Sequence, residues 1–396
     1  MLLLSLGLFQ CNNPSTEEPK DTTNNLLPNT VTVTNLANND TVDYQLLFVR
    51  GTISDTTNSV TLTNISYKNA NRAWPAYSGK YTGLVYLKTG TNTILISEKN
   101  HLPDTLMITY QPPPETDYRV RVVYALSSDG DGSFQEVIPG DPHDLETAVK
   151  RLNLAALMIQ TAYAEMVYNS GYKRQTFQLR QDTDGDYVFV ERLNLTTEQL
   201  NKYRLVCLPD TCMDGPAPYH STYDLWGQVA NKMNQYMFDA TTKNMVYTAF
   251  TRFEMTDDGS ILYAGATLGG GNTGLVEGNS LYLYPSSLEE LIQRMYDNRM
   301  ISQFNMDAYG DSPLWSAYFT ALGGACHELG HSFGLAHSGD EYGLMGLGFY
   351  SFEHLFMPVD GYLSSFSDDT LTRFATVDEQ GEPQISKLLH TPYFNY

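Results

Sequence analysis

The stretch Cys326-His327-Glu328-Leu329-Gly330-His331-Ser332-Phe333-Gly334-Leu335-Ala336-His337 constrains this chain more than any other. Just upstream, apolar Leu314, Phe319, Leu322, Ala325 and Leu329 recur at helical spacing, with Ser312 as N-cap and Pro313 at the first helical position. The pattern predicts one helix carrying both His327 and His331. Residues four apart on a helix face the same way, so the two imidazoles reach a common point. Gly334 follows three residues later, where a left-handed turn ends the helix and swings the chain so that His337 reaches that point too.

Three imidazoles at one point suit a zinc ion, whose nitrogen ligands sit ~2.0–2.1 Å away, and three protein ligands leave a fourth position open. That is the arrangement of catalytic zinc rather than closed structural zinc. Glu328, between the two helical histidines, points near enough to take a proton from a water at the open position. A single histidine is more often a helix-surface or core residue, which is how His143 and His354 read. Here, however, three of the eight histidines, a glutamate and a glycine all fall at the required offsets within eleven residues.

His327-Glu328-x-x-His331-x-x-Gly334-x-x-His337 resembles the long zinc motif of the metzincin metallopeptidases. Ser338 follows the third histidine as in matrixins. Gly343-Leu344-Met345 places a methionine eight residues after His337, similar to the methionine turn that lies beneath the metal in that family. A wider resemblance, to a family of zinc metallopeptidases in bacteria and eukaryotes, rests on Asp307 to Ser316, Ala321 to His331, Gln160 to Leu179, Phe250-Thr251 and Tyr282 to Pro285, and would cover most of residues 30 to 376. The resemblance implies a β-rich front domain and peptide hydrolysis. Leu347 stands where some metzincins carry a metal-binding tyrosine, so no fifth ligand of that type is expected. Tyr350 is near enough in sequence to donate to an oxyanion, but a packing aromatic is the better reading.

From Val31 to Tyr110, short alternating apolar runs are separated by turn formers such as Asn38-Asn39-Asp40 and Lys88-Thr89-Gly90, the pattern of a small β-sandwich. Pro112-Pro113-Pro114 then interrupts any sheet ladder. The expected organisation is therefore an export signal and tether over 1–27, an all-β, Ig-like sandwich over 28–111, and an α/β (α+β) metzincin-like catalytic domain over 116–396. The sandwich, being self-contained in pattern, is expected to be removable without unfolding the rest.

Within 116–396, Val120 to Ala125 reads as a strand and Asp144 to Ser170 as a helix with Leu145, Val149, Leu152, Ala156, Ile159, Tyr163 and Val167 on one face. Strands are expected at Thr176 to Leu179, Tyr187 to Val190, Met245 to Met255 and Ile261 to Leu268. Helices are expected over Thr222 to Tyr236 and after a capping box of Ser286 with Glu289. Asp129 to Ser133 and Asp182 to Asp186 invite a calcium reading but lack the glutamate twelve positions in, and read as turns. The glycine-rich Gly265 to Gly278 is a candidate pocket wall.

At the N-terminus an apolar run, Leu2 to Phe9, ends at Gln10-Cys11 and gives way to a polar stretch. It is too short to span a bilayer and resembles the end of a bacterial lipoprotein signal, with Cys11 as the acylated residue. Export to the cell envelope or secretion follows from that reading. In an exported chain Cys207 and Cys212, flanking a Pro-Asp turn, suit a short-loop disulfide, whereas Cys326 has no obvious partner. The formal charge of −21 argues against nucleic-acid binding and leaves basic molecules as the easier charged partners. Two functions remain: a zinc-dependent peptidase acting on proteins or peptides, with metal ligands His327, His331 and His337, Glu328 as base and Met345 as a structural floor, or a surface lipoprotein that binds glycans or proteins and keeps a vestigial zinc site.

Overall fold

The computed structural model describes residues 26–54, 59–67, 71–203, 205–208, 211–214, 222–236, 241–255, 261–264, 267–304, 312–358, 374 and 377–394. The export segment with Cys11, and Asp307 to Asp311, lie outside them. No described helix is long and apolar enough to cross a membrane.

The first part is all β: β1 (Thr32–Val33), β2 (Asp40–Val42), β3 (Leu46–Thr52), β4 (Ser59–Asn64), β5 (Asn71–Tyr77), β6 (Lys80–Tyr86), β7 (Gly90–Ser97) and β8 (Asp104–Tyr110). All eight join in one sheet of order β1-β3-β6-β5-β4-β7-β8-β2. The sheet curls at β5, whose first residues pair with β4 and whose last two pair with β6. Alternation in β4 buries Val60, Leu62 and Asn64 and leaves Ser59, Thr61 and Thr63 less covered, the period expected of a half-buried strand.

The second part begins with β9 (Arg119–Leu126), α1 (Leu145–Asn169), β10 (Val188–Arg192), α2 (Thr197–Leu200), β11 (Leu205–Leu208), β12 (Thr211–Asp214), α3 (Thr222–Tyr236) and β13 (Thr242–Thr248). It continues through β14 (Arg252–Met255), β15 (Ile261–Ala264), β16 (Leu268–Gly270), β17 (Thr273–Glu277), α4 (Leu288–Arg294), α5 (Leu314–Ser332), α6 (Glu353–Phe356) and α7 (Gln384–Leu389). Its central sheet has the order β10-β9-β13-β17-β16, with the first four strands parallel and β16 an antiparallel edge. Parallel strands covered on both faces read as continuous apolar runs, and β9 buries every residue from Val120 to Leu126. Val122, Tyr124, Met245, Tyr247 and Val276 join the core that includes α1 and α5, while Val123, Ala125, Val246 and Leu275 pack with Leu200, Leu225, Val229 and Met233 of α2 and α3. The alternation thus builds three layers, and β11, β12, β14 and β15 form a separate four-stranded sheet.

Several boundaries differ from the sequence reading. Thr176 to Leu179 forms only a single bridge, Leu179 to Val120. Met245 to Met255 divides into β13 and β14, in different sheets, because the Thr248 and Thr251 hydroxyls bond each other and turn the chain. Each cap moves one residue: Ser287, not Ser286, accepts from the Glu290 backbone, and α5 starts after Pro313 with no side-chain cap. The expected helix from Asp144 to Ser170 runs over Leu145–Asn169, with Asp144 as its cap accepting from Thr147 N at 2.8 Å. In the two aspartate-rich spots, Asp131 accepts from Ser133 N and Asp182 from Asp184 N and Asp186 N, so the carboxylates close their own turns.

The β unit is not separate in packing, contrary to the expectation of a removable domain. Its core is continuous with that of α1 and α5. Thr161 of α1 donates to Leu46 O at 2.7 Å, Tyr44 donates to Glu165 at 2.9 Å, and Thr82 donates to Phe356 O at 2.6 Å. The rings of Phe48 and Phe356 meet edge to face at 5.6 Å. Periodicity within the unit could not reveal this, because a strand's pattern says which face is buried and not against what.

Candidate active site

Helix α5 lies across β16 and β17, and its approach is set by two glycines. A β-carbon built on Gly269 would stand 2.3 Å from Glu328 O, and one on Gly274 would stand 3.1 Å from the same carbonyl oxygen. The glycine-rich segment therefore admits the helix at the level of Glu328, where any side chain would push it off the sheet. From the other side Tyr163 of α1 donates to Cys326 O at 2.8 Å. The backbone on either side of His327 is held by sheet and helix together.

The helix ends as its glycine predicts. Gly334 has φ +84°, Leu335 N reaches back to Gly330 O at 3.1 Å, and Gly334 N bonds His331 O. The reversed chain then supplies a partner for the helix: His331 Nδ1 donates to Leu335 O at 2.8 Å. His327 Nδ1 likewise donates to Leu344 O at 2.7 Å. A carbonyl only accepts, so both rings carry their proton on Nδ1 and turn an Nε2 lone pair inward. Ser338 N bonds Met345 O at 2.8 Å and Glu379 N bonds His337 O at 3.2 Å, which bring His337 to the same place.

The three imidazoles converge. Their candidate ligand atoms lie within 4.8 Å of one another, with His331 Nε2 and His337 Nε2 3.1 Å apart. This donor set fits zinc: three nitrogens, two of them with orientation fixed by backbone carbonyls, and one exposed ring on the open side. Burial pushes the His327 imidazole down to about 4 against the pull of its Leu344 bond, and burial also lowers His331. Both are thus held neutral, the form a metal requires. Glu328 is 9% exposed, and burial, followed by the nearby Glu277 charge, raises its carboxyl to about 8.

A cleft of about 420 Å³ opens over these groups, lined by Thr267, His327, Glu328, His337, Leu347 and Phe349, with Glu379 on its rim. Tyr350 is 59% exposed and its ring lies tilted against Phe349, 4.1 Å between centroids; it lines an adjoining cavity instead. Leu347 is exposed at the cleft mouth. His143 and His354 are elsewhere, engaged with Asp141 O and Glu353. Cys326 is fully buried, and desolvation drives its thiol well up. Cys207 and Cys212 stand opposite one another in the β11–β12 register. Sequence reasoning missed the carbonyls of Leu335 and Leu344, and Glu277 and Glu379. Backbone acceptors have no sequence signature, and isolated glutamates in an acidic chain carry none either.

Residues 30–381 match the Metallopep family, described as "Putative peptidase family". Among curated proteins, a putative zinc metalloproteinase of Schizosaccharomyces pombe is 24% identical over 77% of this chain and 50% of its own length. A putative zinc metalloproteinase of Saccharomyces cerevisiae is 23% identical over 73% of this chain and 43% of its own. The chain thus spans about half the length of the curated relatives it matches. Among solved structures, wild-type OgpA of Akkermansia muciniphila superposes with a TM-score of 0.36 at 15% identity, over 60% of this chain and 56% of that one. The inactive OgpA solved with an O-glycopeptide gives 0.37 at 13% identity, over 65% and 62%.

Proposed function

This chain belongs to the Metallopep family, and from that premise we propose that it is a zinc-dependent peptidase of metzincin type that cleaves within protein or peptide substrates. The observation that carries the reading is the convergence of His327, His331 and His337 beside a buried Glu328. In it the three histidines hold the ion through Nε2. When bound, zinc supplies Lewis acidity, polarising the scissile carbonyl and making water more acidic. Glu328 accepts the proton that the attacking water gives up, and then delivers it to the leaving amine nitrogen. The cleft walls exclude bulk solvent from that carboxyl, and Met345 forms an apolar floor beneath the imidazoles. A structural zinc site would not need Glu328, which is why hydrolysis is preferred over a binding protein with a relict metal.

The finer assignments belong to the same proposal. The curled N-terminal sheet is read as an Ig-like sandwich over 28–111, with β5 shared between its layers and the peptidase domain over 116–396. Export with a lipid anchor at Cys11 is tested by labelling with a fatty-acid analogue in a bacterial host: label that survives Cys11→Ser would remove the anchor. The catalytic proposal is tested by incubating the zinc-loaded chain with casein, with and without chelator. Chelator-sensitive cleavage, restored by zinc, is expected. No cleavage of casein or of a diverse peptide mixture would overturn it.

A further inference from the structure

Beside the metal cleft, α5 borders a second cavity of about 500 Å³. Thr267, Gly324 and Phe349 line both cavities, so the two adjoin along the helix. Gly324, Thr320 and Ser316 follow one another at helical spacing back from His327, and form one wall. Glu277, at the end of β17, also lines the cavity and is 8% exposed. Its backbone is fixed: Gly278 N donates to Thr251 Oγ1 at 2.8 Å and Ser280 Oγ donates to Glu277 O at 2.8 Å.

The chemistry of the lining is uneven in a useful way. Val276, Ala317, Ala321 and Phe349 supply apolar surface, and the polar groups are hydroxyls and one carboxylate. Among the described lining residues of either cavity there is no lysine or arginine, while Glu379 adds a second carboxylate at the metal cleft. An anionic side chain would be repelled here, and an apolar one would meet the polar part of the lining without bonding to it. A long aliphatic stem with a cationic head satisfies both surfaces, since its methylenes cover the apolar wall and its head makes charge-assisted hydrogen bonds.

We propose that this cavity is the specificity pocket for a lysine or arginine side chain next to the scissile bond, with Glu277 as the residue that selects it. The assignment rests on the hydrolytic reading of the adjoining metal site. It is tested on the zinc-loaded full chain with a randomised peptide mixture, and then with a peptide pair differing only as lysine or norleucine at the selected position. Basic residues should be enriched at one position beside the cleaved bond. The lysine peptide should be preferred in kcat/KM by about tenfold or more, the usual weight of a buried charge-assisted contact. Glu277→Gln should bring that ratio close to one. Because Glu277 also bears on Glu328, the ratio within each variant is the readout rather than the absolute rate. Thr320→Lys, a cation placed on the helix side of the same cavity, should lower the ratio as well and serves if Glu277→Gln does not fold. Binding of the same pair to zinc-loaded Glu328→Ala, followed by fluorescence anisotropy, reports the preference without turnover. Cleavage with no basic preference overturns the pocket and leaves hydrolysis standing. No cleavage, with a lysine preference in binding that depends on Glu277, overturns hydrolysis and supports the pocket. A lysine preference that survives Glu277→Gln, or Thr320→Lys where Glu277→Gln does not fold, also overturns the assignment.

Discussion

Met345 packs its thioether against the backbone of Gly330, so closely that a β-carbon built on the glycine would lie 2.5 Å from the sulfur. The contact locks the turn that follows His337 under the helix that carries His327 and His331. It also explains why a glycine sits inside α5 between those two histidines despite its cost of about 1 kcal/mol relative to alanine.

Gly330→Ala should therefore destabilise the chain, although alanine is the better helix former. Overpacking of this kind typically costs about 1–3 kcal/mol. Thermal melting of the zinc-loaded variant checks it, and an unchanged or raised Tm would mean that the turn yields easily.

The roles proposed for His337 and Glu328 are tested separately. His337→Ala should lose most of its zinc, because two nitrogens do not complete a three-ligand site. Glu328→Ala should keep its zinc while kcat falls by roughly two to four orders of magnitude, the usual weight of general acid–base catalysis. Metal analysis and peptide kinetics on both variants decide the matter. Near-stoichiometric zinc in His337→Ala, or wild-type kcat in Glu328→Ala, would remove that residue from its role.

A chain of 115–396 alone should lose its cooperative melting transition. Removing the β unit exposes the face of α1 around Thr161 and Glu165, and it strips Phe356 of Phe48 and of the Thr82 bond. Calorimetry of that fragment checks it; a sharp transition near the full-length Tm would show that the two parts fold independently.

Asp43 lies at this junction. Burial raises its carboxyl to about 7, against the bond it accepts from Thr176 N, and its other oxygen is buried without a described partner. Its folded pKa lies above the unfolded value near 4, so the stability associated with the neutral form is fully present below about pH 4 and is lost progressively as pH rises from there to about 7. Asp43→Asn removes that loss. The variant should match the parent at or below about pH 4 and melt higher at pH 8; a Tm difference that does not change with pH would argue against the buried carboxyl as its source.

Much of the site was legible because it is local. Ligand spacing on one helix, a glycine that reverses the chain and a methionine eight residues beyond are all fixed within nineteen residues, His327 to Met345, by helical geometry and one positive φ. The long helix α1 was readable from its period and β9 from its largely apolar sequence, each declaring its own burial. The tertiary structure alone decided which carbonyls orient His327 and His331, that Gly269 and Gly274 let the helix settle at Glu328, and that Glu277 stands near that carboxyl. It alone decided that the β unit shares its core with α1. These relationships join residues distant in sequence, or chain segments that meet only after the reversal, through close approach and desolvation, neither of which leaves a period or a spacing to read.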